Sequence, residues 1–157
     1  MLLTPHALVG ATIGASSDNL TYIIILAFLS HFILDSLPHF DWGMWHNYQD
    51  FSWKDMKVRD YLLVTFDILM LLILALYLWY NLGRNNYILI GAFFGILVDL
   101  IDNVPFWKRY LQKLPLFSQL HLLHMSIHNQ LKAKYWVWGI LTQIFIIVIS
   151  LTVLFNI

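Results

Sequence analysis

Apolar residues run along this chain in five long blocks with short polar breaks between them, and blocks of this length predict helices, not strands. Pro5 suits a first helical turn, and residues 5 to 16 follow as a small-faced helix of about 12 residues, roughly 18 Å long. That is too short to cross a bilayer. Ser17, Asp18 and Asn19 supply a turn and a cap, after which residues 20 to 36 are almost continuously apolar and nearly long enough to span. The two segments read as a helical hairpin, with Gly10-x-x-x-Gly14 permitting close approach, and Pro38 ends the second helix. Residues 59 to 82 form a third helix, apolar except for Asp67, and Gly83-Arg84-Asn85-Asn86 is a turn. The fourth, 87 to 103, carries Gly91-x-x-x-Gly95 and ends in Asp99, Asp102, Asn103 and Pro105. A basic stretch leads to a segment from Ser118 to about Ala133 that can be helical. Residues 135 to 156 make a last spanning helix, polar only at Thr142, Gln143, Ser150 and Thr152.

Composition moves this pattern from a soluble bundle to a membrane one. Of 157 residues, 60% are hydrophobic and 11% charged, with a mean hydropathy of +0.69. The expected class is therefore all-α: one polytopic membrane domain over residues 1–157, with about four spanning helices plus the short N-terminal helix. Residues 40–58 and 105–134 are its loops, and Trp42, Trp45 and Trp53 suit an interface. Three Lys and Arg residues fall between the second and third helices, five between the fourth and the last, and only Arg84 in the opposite turn. That asymmetry predicts both large loops on the cytoplasmic side of an inner membrane and the C-terminus outside. The opening residues lack the basic region of a signal peptide and are read as structure. Asn19-Leu-Thr21 matches a glycosylation sequon but reads better as a turn. Zero net charge gives no indication of a nucleic-acid partner.

Candidate chemistry follows from what is missing. The chain has no cysteine, and all nine acids are aspartate, so any metal must be held by imidazole nitrogen and carboxylate oxygen. The densest run is Ser30-His31-x-x-x-Asp35-x-x-Pro38-His39-x-Asp41. His31 and Asp35 are spaced i, i+4 and share a helical face, about 40° apart. On the expected topology His31, Asp35, Asp67 and Asp99 lie in one leaflet, roughly 5 to 12 Å below the helix ends, and His6 sits at the start of the first helix on the same side. His121, His124 and His128 recur at i, i+3 and i+7, and His124-x-x-x-His128 has the spacing of a two-histidine ligand set. Six or more ligands suffice for two ions, which together polarise a phosphoryl or acyl group.

Plainer readings stand beside these. His31 with Asp35 reads alternatively as a hydrogen-bonded pair fastening helices, Asp67 as a partner of Arg59 or Lys108, and Asp102 as a cap or a counter-charge to Lys108 and Arg109. Asp18, Asp50, Asp55 and Asp60 suit solvated or capping roles, His46 an interfacial one, and His121 either a ligand or part of an interfacial helix. Lys108, Arg109 and Lys113 suit phosphate binding and equally a positive-inside loop.

Thr4-Pro5-His6-Ala-Leu-Val-Gly10 followed by the His31 to Asp41 run resembles the YdjM-like group, small bacterial and archaeal inner-membrane proteins described as membrane-bound metal-dependent hydrolases. The likeness covers about 40 residues and is carried further only by single acids and a downstream histidine segment. That group has been likened to zinc-dependent phospholipase C and P1-type nucleases, helical enzymes in which His-x-x-x-Asp units hold zinc. His31 and Asp35 match that unit; His124-x-x-x-His128 departs from it by ending in histidine.

The expectation is thus a membrane-embedded hydrolase holding one or two divalent ions, zinc foremost, and acting on a lipid-borne phosphoester at cytoplasmic headgroup depth. His6, His31, Asp35, His39, Asp41, Asp67, Asp99, His124 and His128 are the candidate metal-site residues. Asp35 and Asp41 are the candidate catalytic ones, with metal-bound hydroxide as nucleophile and Asp41 orienting it or taking its proton. A metal-binding transporter component and a non-catalytic scaffold are the alternatives. The apolar outer halves of the second, third and fourth helices argue against a transport path.

Overall fold

The computed structural model describes residues 1–41 and 57–157. Trp42, Trp45, His46, Asp50, Trp53 and Asp55 lie outside the described residues. Among the described residues seven α-helices follow one another: α1 Leu3–Ala15, α2 Leu20–Ser36, α3 Val58–Asn81, α4 Asn86–Asp102, α5 Lys108–Leu111, α6 Pro115–Ile127 and α7 Trp136–Leu154. The all-α class is as expected, and the five apolar blocks become α1, α2, α3, α4 and α7.

Local chemistry sets the boundaries. Asn19 caps α2, its side-chain oxygen accepting the Tyr22 N–H at 3.1 Å, and Asn85 caps α4 in the same way through Tyr87 at 2.9 Å. Between α3 and α4 the chain reverses through Gly83 and Arg84, both with positive φ, where glycine carries no steric penalty. α3, at 24 residues, and the continuous helical stretch Ala133–Leu154, at 22, are long and apolar enough to cross a membrane. α2 and α4 have 17 residues each, so length and composition single out two of the four spanning helices expected.

α1 is the centre of the bundle. It packs against α4, α2, α7 and α3, and Ala7, Leu8 and Ala11 meet Leu71 and Leu78 of α3, Ile88, Ala92 and Ile96 of α4, and Leu154 of α7. Its glycines make this possible, though the partner differs from the hairpin mate expected. Gly10 and Gly14 face the α4 backbone at Gly91 and Tyr87, and Gly91 and Gly95 face Gly10 and His6. A Cβ at any of the four would collide with a backbone atom, so the two small-residue motifs are two halves of one crossing. Apolar residues also cover the outside: Leu62, Ile73, Trp138 and Phe145 are all more than 60% exposed, whereas the buried set includes His6, His31, Asp35, His39, Asp99 and His124.

Candidate metal centre

The buried polar residues meet at one end of the bundle, because the chain reversals bring together the C-terminal ends of α2 and α4 and the N-terminal ends of α1 and α7. α2 contributes His31 and Asp35, α4 Asp99, α1 His6, and α6 His124. The segment after α2 supplies His39 and Asp41. It is zipped to the segment after α6: Asn129 N–H donates to Asp35 O (2.8 Å), His39 N–H to Asn129 O (3.3 Å) and Leu131 N–H to His39 O (2.8 Å). That short parallel pairing carries His128 to within 3.2 Å of His39, Nε2 to Nε2.

Two ligand groups result, and they share Asp35. The inner group is His31, Asp35, Asp99 and His124, all buried, with the four ligand atoms within 4.8 Å of one another. His31 Nε2 lies 3.2 Å from Asp35 Oδ2, 3.8 Å from Asp99 Oδ1 and 3.4 Å from His124 Nε2. His124 Nε2 lies 2.8 Å from Asp35 Oδ2 and 3.9 Å from Asp99 Oδ1. A tetrahedral zinc site with bonds of about 2.0 to 2.1 Å has ligand–ligand edges of about 3.3 to 3.4 Å. The measured separations bracket that value, so the donor set fits a divalent ion in size and in kind.

The outer group is Asp35, His39 and His128, with Asp41 beside it. The Met1 ammonium sits among these side chains, donating to Asp35 Oδ1 at 2.9 Å and Asp41 Oδ2 at 3.3 Å, with His39 Nε2 at 2.9 Å and His128 Nε2 at 3.4 Å. A cation therefore already stands where a second ion would be ligated. Burial opposes that charge, but Asp41, Asp35 and Asp99 outweigh it and carry the amine up to about 10. Burial likewise opposes ionisation of Asp41, yet the ammonium and His39 hold its carboxyl well below the usual range. Its Oδ1 is buried without a hydrogen-bond partner. His6 closes the inner side, stacked on His31 with ring centroids 4.0 Å apart; its Nε2 is 3.1 Å from Asp35 Oδ1, and its Nδ1 too is buried without a partner.

Orientation of the imidazoles is the most telling feature. His31 Nδ1 is 3.0 Å from the Gly95 carbonyl, His39 Nδ1 2.9 Å from the Leu37 carbonyl, and His124 Nδ1 2.9 Å from Asp102 Oδ2. A carbonyl or carboxylate accepts only an N–H, so each Nδ1 carries its proton; each Nε2 faces a carboxylate as well, and would offer a lone pair inward only where an ion took the place of its proton. Holding the far nitrogen of a histidine in this way fixes the tautomer that a metal ligand needs. With no ion present, His124 keeps both protons: burial opposes the charge, but Asp102 and Asp35 outweigh it and push the imidazolium up to about 9. His128 goes the other way, burial and the Met1 ammonium lowering it to about 4.

Of the nine candidate residues, eight gather here. Asp67 does not join either group. Its carboxylate accepts the backbone N–H groups of Leu3 (2.7 Å) and Thr4 (3.2 Å) and the Thr4 hydroxyl (2.6 Å), so it caps α1, whose own N-cap position is a leucine. Asp60 caps α3 through the Lys57 N–H.

Three supporting residues lie outside the nine candidates. Asp102 holds His124. Gln143 of α7 joins the N-terminal segment to the His39 loop, accepting from Leu2 N–H at 3.0 Å and donating to Phe40 O at 2.7 Å. Gly139 leaves room for that loop, since a Cβ there would lie 2.5 Å from the Phe40 backbone nitrogen. The only sequence signal for Gln143 was a polar side chain in an otherwise apolar helix. The chain matches no family model, no curated protein and no solved structure.

Proposed function

We propose that this chain is a membrane-embedded, metal-dependent hydrolase of phosphoesters carried on lipids. One observation bears most of the weight: His31, His39 and His124 each have Nδ1 engaged by a fixed acceptor and Nε2 turned toward a shared set of carboxylates. Fixed acceptors at three Nδ1 atoms leave three Nε2 atoms converging on Asp35, Asp41 and Asp99, the arrangement that ligand histidines need. This favours an ion-binding centre over a scaffold.

In this reading His31, Asp35, Asp99 and His124 would hold one ion, and Asp35, His39, Asp41 and His128 a second that displaces the Met1 ammonium from among them, with His6 packed behind. Divalent ions there supply Lewis acidity and lower the pKa of bound water toward neutrality. Asp35 is common to the two groups. Asp41, ionised and with one oxygen unpartnered, is placed to orient a water or take its proton. His128, neutral at pH 7 on its lowered value, is ready to donate a lone pair without first losing a proton.

Lipid is proposed as the substrate's carrier because large apolar side chains cover the outside of the helices while the ionisable cluster is buried. The site lies within about one helical turn of the ends of α2 and α4, which is headgroup depth if these helices stand in a bilayer. Lys108, Arg109 and Lys113 follow α4 at the same end and favour a cytoplasmic side by the positive-inside rule.

Elemental analysis of detergent-purified protein, joined to a panel of phosphatidic acid, lysophospholipid and prenyl phosphate substrates, tests the reading. Expected are stoichiometric zinc or another divalent ion and phosphate release that a chelator abolishes. Folded protein that takes up no ion during titration with zinc or manganese would overturn it.

A further inference from the structure

We infer that Asp102 is a positioning residue: it presents His124 to the inner ligand group and fastens α6 over the site. The inference rests on the metal-binding reading above and concerns a residue that lies outside both ligand groups.

Asp102 is the last residue of α4, and its side chain is 3% exposed. A carboxylate in that place opposes the helix dipole, whose C-terminal end is already negative, so the helix itself gives no reason for it. Its partners do. Oδ2 accepts from His124 Nδ1 at 2.9 Å, and Oδ1 accepts from His121 Nδ1 at 2.8 Å and from Gln112 Nε2 at 3.0 Å. All three donors come from the stretch that follows α4, so one buried carboxylate gathers α6 and its approach onto the bundle.

His124 is the buried residue of α6, while Phe117, Leu120, Met125 and Ile127 are half-buried and Leu116, Leu122 and Leu123 are exposed. Its polar attachments among the described residues include those to Asp102, the contact of His124 with Asp35, and the pairing of residues 129 to 131 with the end of α2. His121 stands one turn before His124 on the same face and bonds to the same carboxylate, which fixes the rotation of α6 about its axis as well as its distance. With that rotation set, His124 Nε2 points at Asp35 and Asp99. Without it, the ring is free to turn, and the inner group is left with His31 and two carboxylates.

Zinc affinity, measured by chelator competition on the full chain in detergent, and the tautomer of His124 in the zinc-loaded protein, read by nitrogen-15 NMR and assigned by its loss in His124→Gln, test this together. Asp102→Ala is expected to weaken zinc binding by about 10- to 100-fold and to abolish the uniform Nδ1-protonated signal. Asp102→Asn keeps an acceptor but loses the charge and should fall between the two. His121→Ala leaves the His124 bond in place and should weaken binding less than Asp102→Ala. Folded Asp102→Ala protein with wild-type affinity and tautomer overturns the inference. Should that variant not fold, an Asp102→Asn protein indistinguishable from wild type in both measurements overturns it. Wild-type protein that binds no zinc removes the metal reading itself, an outcome distinct from wild-type binding that Asp102 does not affect.

Discussion

Replacing His39 and replacing His31 should have different consequences, because the two side chains serve different ligand groups around a shared Asp35. With two ions bound to the wild type, His39→Ala is expected to retain one and His31→Ala to weaken the inner ion by more than about 100-fold, beyond the cost of losing an outer-shell partner. Metal-to-protein ratios after dialysis decide it, and equal loss in both variants would argue for a single ion. The histidines also set the pH response of the metal-free protein. His124, raised to about 9, contributes stability that is complete below its ordinary value of 6.5 and lost as pH rises through 9. His128, lowered to about 4, contributes stability that is complete above 6.5 and lost as pH falls through 4. Their sum peaks near 6.5, and thermal unfolding in the presence of chelator should show that maximum flattened on its alkaline side by His124→Gln.

Among the elements, α1 shows how a helix too short to span still organises the bundle. Its start is capped by Asp67 from α3, since Leu2 offers no side-chain acceptor. Asp67→Ala should therefore cost about 1 kcal/mol, the usual cap value, rising toward 2 with the Thr4 hydroxyl bond also lost. The same variant should leave the metal-to-protein ratio unchanged. A drop in metal content without a drop in stability would instead return Asp67 to the ligand set. In the sequence Asp67 looked like the other intramembrane acids, because a lone aspartate in an apolar helix gives no sign of what it faces. The glycine motifs were legible as close-packing surfaces, but the sequence offered no means of pairing Gly10 and Gly14 with Gly91 and Gly95. Spacing describes one helix, and pairing is a property of two.

For the whole molecule, ion binding and folding should be linked, since a site drawn from four helices and two loop segments does not survive unfolding. Removing the metal is expected to lower stability by about 4 kcal/mol where free ion exceeds Kd a thousandfold. A melting temperature that is the same with zinc and with chelator would disprove that linkage. By itself the sequence determined the helical class, the boundaries of the five apolar helices to within a residue or two, and the candidate ligand chemistry, because hydropathy, caps, prolines and the absence of cysteine are local facts. Tertiary structure alone decided which candidates meet. His6, His31, Asp99 and His124 lie on four different helices, and Asp35 becomes shared between two groups only when the segment after α6 pairs with the end of α2. Distances across helices depend on how surfaces pack, and no spacing along one chain records them.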